Sequence, residues 1–210
     1  MNTRLQTGLL AGSVAIGLFA AAAAQTPERP GATRQPAPVT AKPTYGVVAG
    51  EKGPYLVGEV AREDVLRHFP AWSDTARAYA PDTAQVAALA GVQQPIEIVC
   101  VMGTWCGDSQ REVPRLWRVL EAAANPRLRL TMLAVGRKDD LAAQDMAEEI
   151  GCPRDLRSRW DVTLVPTFIF LDGERELGRI VETPRVTLEA DAAAILADVA
   201  DAAAEAGGWR

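Results

Sequence analysis

The segment MGTWCGDSQREVP, residues 102–114, places one cysteine, Cys106, directly after an apolar run and at the start of a helical pattern. A thiol at a helix N-terminus meets unpaired amides and the positive end of the helix dipole. Both favour the thiolate, which is the nucleophilic form. Trp105 shields one side of Cys106, and Gly107 leaves room for another backbone to approach. Where a second thiol would complete a Cys-x-x-Cys pair, the chain carries Ser109. A serine hydroxyl can hydrogen-bond a thiolate but cannot attack a mixed disulfide. Cys106 can therefore attack, trap or be modified, while release of a bound partner needs another thiol.

The other cysteines are Cys100 and Cys152. Cys100 alternates in phase with Ile96, Ile98 and Met102, the pattern of a small buried side chain, although it lies beneath the motif and a resolving role is the sharper alternative. Cys152 follows Gly151 after a helical stretch and reads as a partly buried thiol, able to resolve Cys106 only by loop movement. With three cysteines the chain has too few for a disulfide scaffold, and at least one thiol is left over. No two cysteines have metal-ligand spacing and His68 is the single histidine, so neither a metal site nor a cofactor is expected. His68 itself reads as a surface or satisfied side chain.

Several elements must position Cys106. IEIVCVM, residues 96–102, is a short run rich in β-branched residues and predicts a buried strand. A helix follows from Ser109 to about Ala124, with Val113, Leu116, Trp117 and Leu120 on one face. Residues 128–135 predict a second strand, residues 140–150 a helix ending at Gly151, and residues 167–171 a third strand. Asp172-Gly173 is a tight-turn pair, after which residues 176–182 return antiparallel. A last helix starts near Thr187 with Leu188, Ile195, Leu196 and Val199 as its stripe. Upstream, residues 61–69 and 82–90 predict two helices, the second with Asp82 as N-cap. The order β-α-β-α-β-β-α gives an α/β fold, a mixed central sheet with helices on both faces. Val165-Pro166-Thr167 puts a proline directly before the third strand, where it either caps an edge or is cis and sets a backbone edge beside the thiol.

From about Pro95 to Ala206 the chain resembles the thioredoxin superfamily. The resemblance rests on WCGDS after a strand, Pro114 within the next helix, VPT before a strand, and the hairpin DGERELGRI. It implies a thioredoxin-like fold with Pro166 cis and facing Cys106. It further implies that Trp105, Gly107, Asp108, Ser109, Val165, Pro166 and Thr167 form the surface that meets a partner. The family keeps a buried acid at the position held here by Cys100, serving the resolving thiol. Acid and resolving thiol are absent together. An iron–sulfur cluster of the kind held by monothiol glutaredoxins is not expected, because the residues after the cysteine differ.

Residues 1–24 pair Arg4 with the apolar run Leu9 to Ala24, ending in Ala22-Ala23-Ala24, and read as a cleaved signal peptide. The run is shorter than the roughly 20 residues of a spanning helix. Residues 25–44, rich in Pro, Thr and Ala, read as a linker; residues 45–94 as a helical extension; and residues 95–206 as the thioredoxin-like domain. The expected setting is the periplasm or another exported location, where a thiol has redox consequences. The expected state is a monomer with no stable membrane association after cleavage.

The formal net charge of -5 gives no attraction to nucleic acid, and no nucleic-acid motif is present. A Ser/His/Asp hydrolase is excluded by the single histidine and the lack of a nucleophile elbow. Arg137 to Asp140 falls at the same sheet edge as Cys106 and can contact a partner, though a solvated loop explains it as simply. Two classes of function remain. One is thiol–disulfide exchange through a single cysteine with protein thiols or disulfides of the cell envelope. The other is a noncatalytic module gripping extended segments beside Pro166.

Overall fold

A computed structural model describes residues 45–207, and side chains up to residue 197. The signal segment of residues 1–24 and the linker of residues 25–44 lie outside the described residues.

The chain opens with a hairpin of β1 (Tyr45–Gly50) and β2 (Gly53–Val60). Three short helices follow: α1 (Arg62–His68), α2 (Trp72–Ala78) and α3 (Thr83–Ala90). Then come β3 (Ile96–Met102), α4 (Gly107–Ala123), β4 (Leu128–Ala134), α5 (Leu141–Glu149) and the single turn α6 (Leu156–Arg159). The chain closes with β5 (Thr167–Asp172), β6 (Arg175–Val181) and α7 (Leu188–Gly207). The sheet has six strands in the order β1-β2-β4-β3-β5-β6. Only β3 and β4 run parallel; every other pairing is antiparallel. The strand that carries Cys100 is thus flanked by β4 and β5, with Cys100 opposite Met132 on one side and Phe168 on the other.

The expectation for residues 45–94 needs correction. It is not purely helical, because its first part adds two strands to the sheet, with Gly58, Glu59 and Val60 of β2 paired to Ala134, Leu133 and Met132 of β4. Gly53 at φ 109 forms the turn where a side chain would be strained. Tyr55, Leu56 and Val57 are consecutively buried because β2 has covered neighbours on both faces, which removes the alternation that marks a half-exposed strand. Helix α2, like the single turn α6 further on, is an element the pattern did not predict. It is held by Trp72, whose buried ring lies 5.9 Å from that of Trp117. The expected Asp82 cap is present: its carboxylate accepts from the N–H groups of Ala84 and Gln85, both at 3.0 Å.

Strand alternation divides β3 between two cores. Ile96, Ile98, Cys100 and Met102 join Val113, Leu116 and Trp117 of α4 and Leu188 and Leu196 of α7 in one large cluster. Val99 and Val101 face the opposite side, with Leu133, Val135, Leu156, Val162, Val165 and Ile169. A third cluster joins Val48, Tyr55 and Val57 of the hairpin to Ala143 and Ala147 of α5.

Candidate functional site at Cys106

Where β3 ends, the chain turns sharply from Gly103 to Cys106, with the Cys106 N–H donating to the Gly103 carbonyl at 2.9 Å. A Cβ on Gly103 would fall 2.6 Å from the Trp105 ring, so glycine is required for the indole to fold back there. Thr104, buried, accepts the Leu56 N–H of β2 on its Oγ1 at 3.0 Å, which ties the turn to the hairpin. The Trp105 Nε1–H donates to the Val135 carbonyl at 2.8 Å. Each of these bonds fixes the turn before α4 begins.

Cys106 is the N-cap residue of α4, in extended backbone at φ -94 and ψ 127, and its own carbonyl accepts the Gln110 N–H at 3.0 Å. The side chain is half-buried and packs against the cluster containing Val165. Its thiol donates to the Val165 carbonyl at 3.2 Å. The Val165–Pro166 peptide bond is cis, as the resemblance implied. Pro166 is buried, and its carbonyl accepts the Glu182 N–H at 2.7 Å. Thr167, also buried, donates its hydroxyl to the Leu164 carbonyl at 2.7 Å. Leu164, one residue before Val165, is exposed. Cys106 and Pro166, far apart in sequence, therefore meet through Val165.

The residues assigned to the partner surface divide into two groups. Trp105 and Asp108 are half-buried and Gly107 is exposed, with nothing within 4 Å of where a Cβ would stand. These face outward. Asp108 is held by Arg111 at 2.7 Å. Ser109, by contrast, is 0% exposed, and its Oγ accepts the Gly103 N–H at 3.2 Å. It braces the turn from inside. Thr167 is likewise internal, and Val165 contributes through its backbone carbonyl.

No disulfide joins Cys100, Cys106 and Cys152. Cys100 is 0% exposed, and burial pushes its thiol well above the ordinary range, which keeps it protonated and unreactive. This weighs against a resolving role. Cys152 packs on the cluster of the hairpin and α5, and burial raises its thiol too. Among the described residues no group of three or more His, Cys, Asp or Glu side chains is placed to hold a metal. His68 is exposed and meets Tyr45 edge-on at 5.9 Å between ring centroids.

Two cations flank Trp105. The Arg137 guanidinium lies 4.5 Å and that of Arg157 5.9 Å from the ring centroid. Arg137 belongs to the loop that the sequence had placed at the edge of the site. Arg157, on α6, was missed, because no local pattern links it to a tryptophan so far upstream.

The fold and site together define an α/β protein of thioredoxin-like architecture, with one half-buried cysteine at a helix start facing a cis-proline. No family model matches the chain, and no curated protein does. Among solved structures, one likeness is to a protein of unknown function from Pseudomonas aeruginosa, with 20% identity over 68% of this chain and 83% of that one, and a TM-score of 0.40. Another is to mitochondrial thioredoxin 3 of Saccharomyces cerevisiae in its oxidized form, with 20% identity over 51% of this chain and 86% of that one, and a TM-score of 0.28. Thioredoxin f2 of Chlamydomonas reinhardtii is similar at 13% identity over 48% and 80%, with a TM-score of 0.29. These are likenesses of fold, and none lends its activity to this chain.

Proposed function

We propose that this chain performs thiol–disulfide exchange through Cys106 alone. The observation that carries the proposal is the pairing of a half-buried thiol at a helix start with the carbonyl of Val165 at 3.2 Å, beside cis Pro166. A partner disulfide entering there can lie along the Leu164–Pro166 edge. The Cys106 thiolate attacks one sulfur, forming a Cys106–partner disulfide and expelling the other sulfur as a thiolate. Ser109 holds the Gly103 amide and offers no thiol, so the adduct persists until an external thiolate attacks it and displaces Cys106. Partners are protein thiols or disulfides. Because residues 1–24 read as an export signal, those partners belong to the cell envelope.

The test uses the reduced full chain and an unfolded protein carrying a disulfide, quenched with an alkylating agent and weighed intact. Wild type should yield one covalent adduct mapped to Cys106, and Cys106→Ser should yield none. Turnover should appear only when a small external thiol is supplied. A wild type that binds extended peptides through the Leu164–Pro166 edge, never forms an adduct, and binds as well after Cys106→Ser would be a noncatalytic clamp instead.

A further inference from the structure

The turn that carries Cys106 is held residue by residue. The Gly103 N–H donates to Ser109 at 3.2 Å, and the Trp105 indole to the Val135 carbonyl at 2.8 Å. Thr104, between them, is 1% exposed and is tied twice. Its Oγ1 accepts the Leu56 N–H at 3.0 Å, and its carbonyl accepts the Gln110 side-chain amide at 3.0 Å. Gln110 also donates its backbone N–H to the Cys106 carbonyl, so one residue of α4 clamps both Thr104 and Cys106. Of these partners only Leu56 lies upstream of β3, in the β1–β2 hairpin.

Leu56 has an N–H to give for a topological reason. The β2–β4 ladder pairs Val60 with Met132, Glu59 with Leu133 and Gly58 with Ala134. Strand β4 ends at Ala134, so two residues away along β2 no described strand meets Leu56 on that side. Leu56 is fully buried, and an N–H sealed there without an acceptor is costly. Thr104 supplies the acceptor from a side chain, which makes the turn before Cys106 the continuation of the ladder. The hairpin meets the same turn a second way, because Trp105 packs against the cluster of Val48, Tyr55 and Val57. Tyr55 in turn donates to Asp140, the N-cap residue of α5, which anchors the hairpin there.

We propose that Thr104 is a positioning residue for Cys106, and that through it the β1–β2 hairpin is a working part of the site. The inference deepens the exchange reading of Cys106 and rests on it. Attack on a disulfide needs the attacking, central and leaving sulfurs in line, and small misplacements of a reacting atom cost large factors in rate. The Cys106 sulfur is placed by the backbone two residues after Thr104 and by the Val165 carbonyl at 3.2 Å. Without the Thr104 hydroxyl the turn loses its one described hydrogen bond to the hairpin, and the sulfur spends less time in the productive place.

The experiment uses the reduced full chain and reads two rates at Cys106: adduct formation with 2-hydroxyethyl disulfide, and alkylation by iodoacetamide. Two pairs differ at residue 104 by the hydroxyl: wild type against Thr104→Val, and Thr104→Ser against Thr104→Ala. In each pair the member without the hydroxyl should react roughly fivefold more slowly, the population lost with one net hydrogen bond. Thr104→Ser keeps that bond and should stay within about twofold of wild type, although it gives up a buried methyl. Ile180→Val and Leu196→Ala, in the core away from the turn, bracket the stability loss and should leave both rates unchanged. Equal rates within both pairs would overturn the positioning role and leave exchange intact. Rates that follow stability across all variants, whatever stands at residue 104, would overturn it as well. If removing the hydroxyl unfolds the chain in both pairs, Thr104 serves folding alone and the proposal falls. If iodoacetamide alkylates Cys106 and the disulfide does not react, the exchange reading fails by itself, and the alkylation rates then decide the role of Thr104.

Discussion

The two faces of the sheet are packed unequally. On one, α1 to α4 and α7 cover a continuous cluster running from Leu56 through Phe168 to Leu196. On the other, α5 and the single turn of α6 leave two smaller clusters, with Trp105 touching both. Cys100 belongs to the first face and Cys106 packs on the second. The comparison teaches that the same side-chain type, on one strand and the turn that follows it, is made inert or available by what covers it. A continuous core excludes water and holds the thiol protonated. A divided one leaves a cleft, two arginines and a half-exposed sulfur at its margin.

The comparison breaks most visibly if the thick face is not the stabilising one. Phe168 is fully buried there, and Phe168→Ala should cost about 3–5 kcal/mol, whereas Leu156→Ala on the thin face should cost about 2 kcal/mol. Urea unfolding of both variants gives the two values directly. Equal costs would mean that the two faces support the fold alike.

A gain of function sharpens the chemical side of the contrast. Ser109→Cys supplies a thiol three residues after Cys106 in a position already lined up on the turn. The variant should convert stoichiometric trapping into catalytic reduction of a protein disulfide, read as turnover without added small thiol. The gain has a modest stability cost, about 0.5–1.5 kcal/mol, because sulfur is a weaker acceptor than Oγ for the Gly103 N–H. The buried, protonated Cys100 offers the new thiol no carboxylate for its proton, which holds the rate below that of a complete site. If Ser109→Cys traps partners and still releases none, the turn does not let residue 109 reach the Cys106 sulfur.

The smallest effect concerns pH. Tyr79 donates to Glu189 at 2.8 Å beside the thick face, and Tyr55 to Asp140 at 2.6 Å on the thin one. Burial first, then the hydrogen bond to a carboxylate, lifts both phenols above the ordinary value of 10.0. The folded state therefore holds protons that the unfolded chain releases above that pH. Their contribution is complete below pH 10 and declines as pH rises beyond it. Stability measured from pH 10 upward should fall, and Tyr55→Phe or Tyr79→Phe should flatten that slope. An unchanged slope in both variants would trace the alkaline loss to other groups.

Much of this arrangement was legible in the chain itself, for reasons of local geometry. Strand β3 was readable to the residue because β-branched side chains alternate between two covered faces. The Asp172-Gly173 pair marked the β5–β6 hairpin, and Asp82 marked the start of α3. The cysteine at a helix start and the proline before β5 were visible as types in order. The β1–β2 hairpin was not, since β2 is buried on consecutive residues and shows no period.

What the sequence by itself determined is thus the order of the elements from β3 onward apart from α6, the cysteine at a helix start and the missing second thiol. Each is written in neighbours a few residues apart, where backbone preference and side-chain period act. Only the tertiary structure decided that Ser109 turns inward to hold Gly103, that Cys100 is sealed, and that Arg137 and Arg157 close on Trp105. Those contacts join residues up to about fifty positions apart, and they arise only when the sheet sets the ends of β3, β4 and β5 side by side, a proximity that no local pattern records.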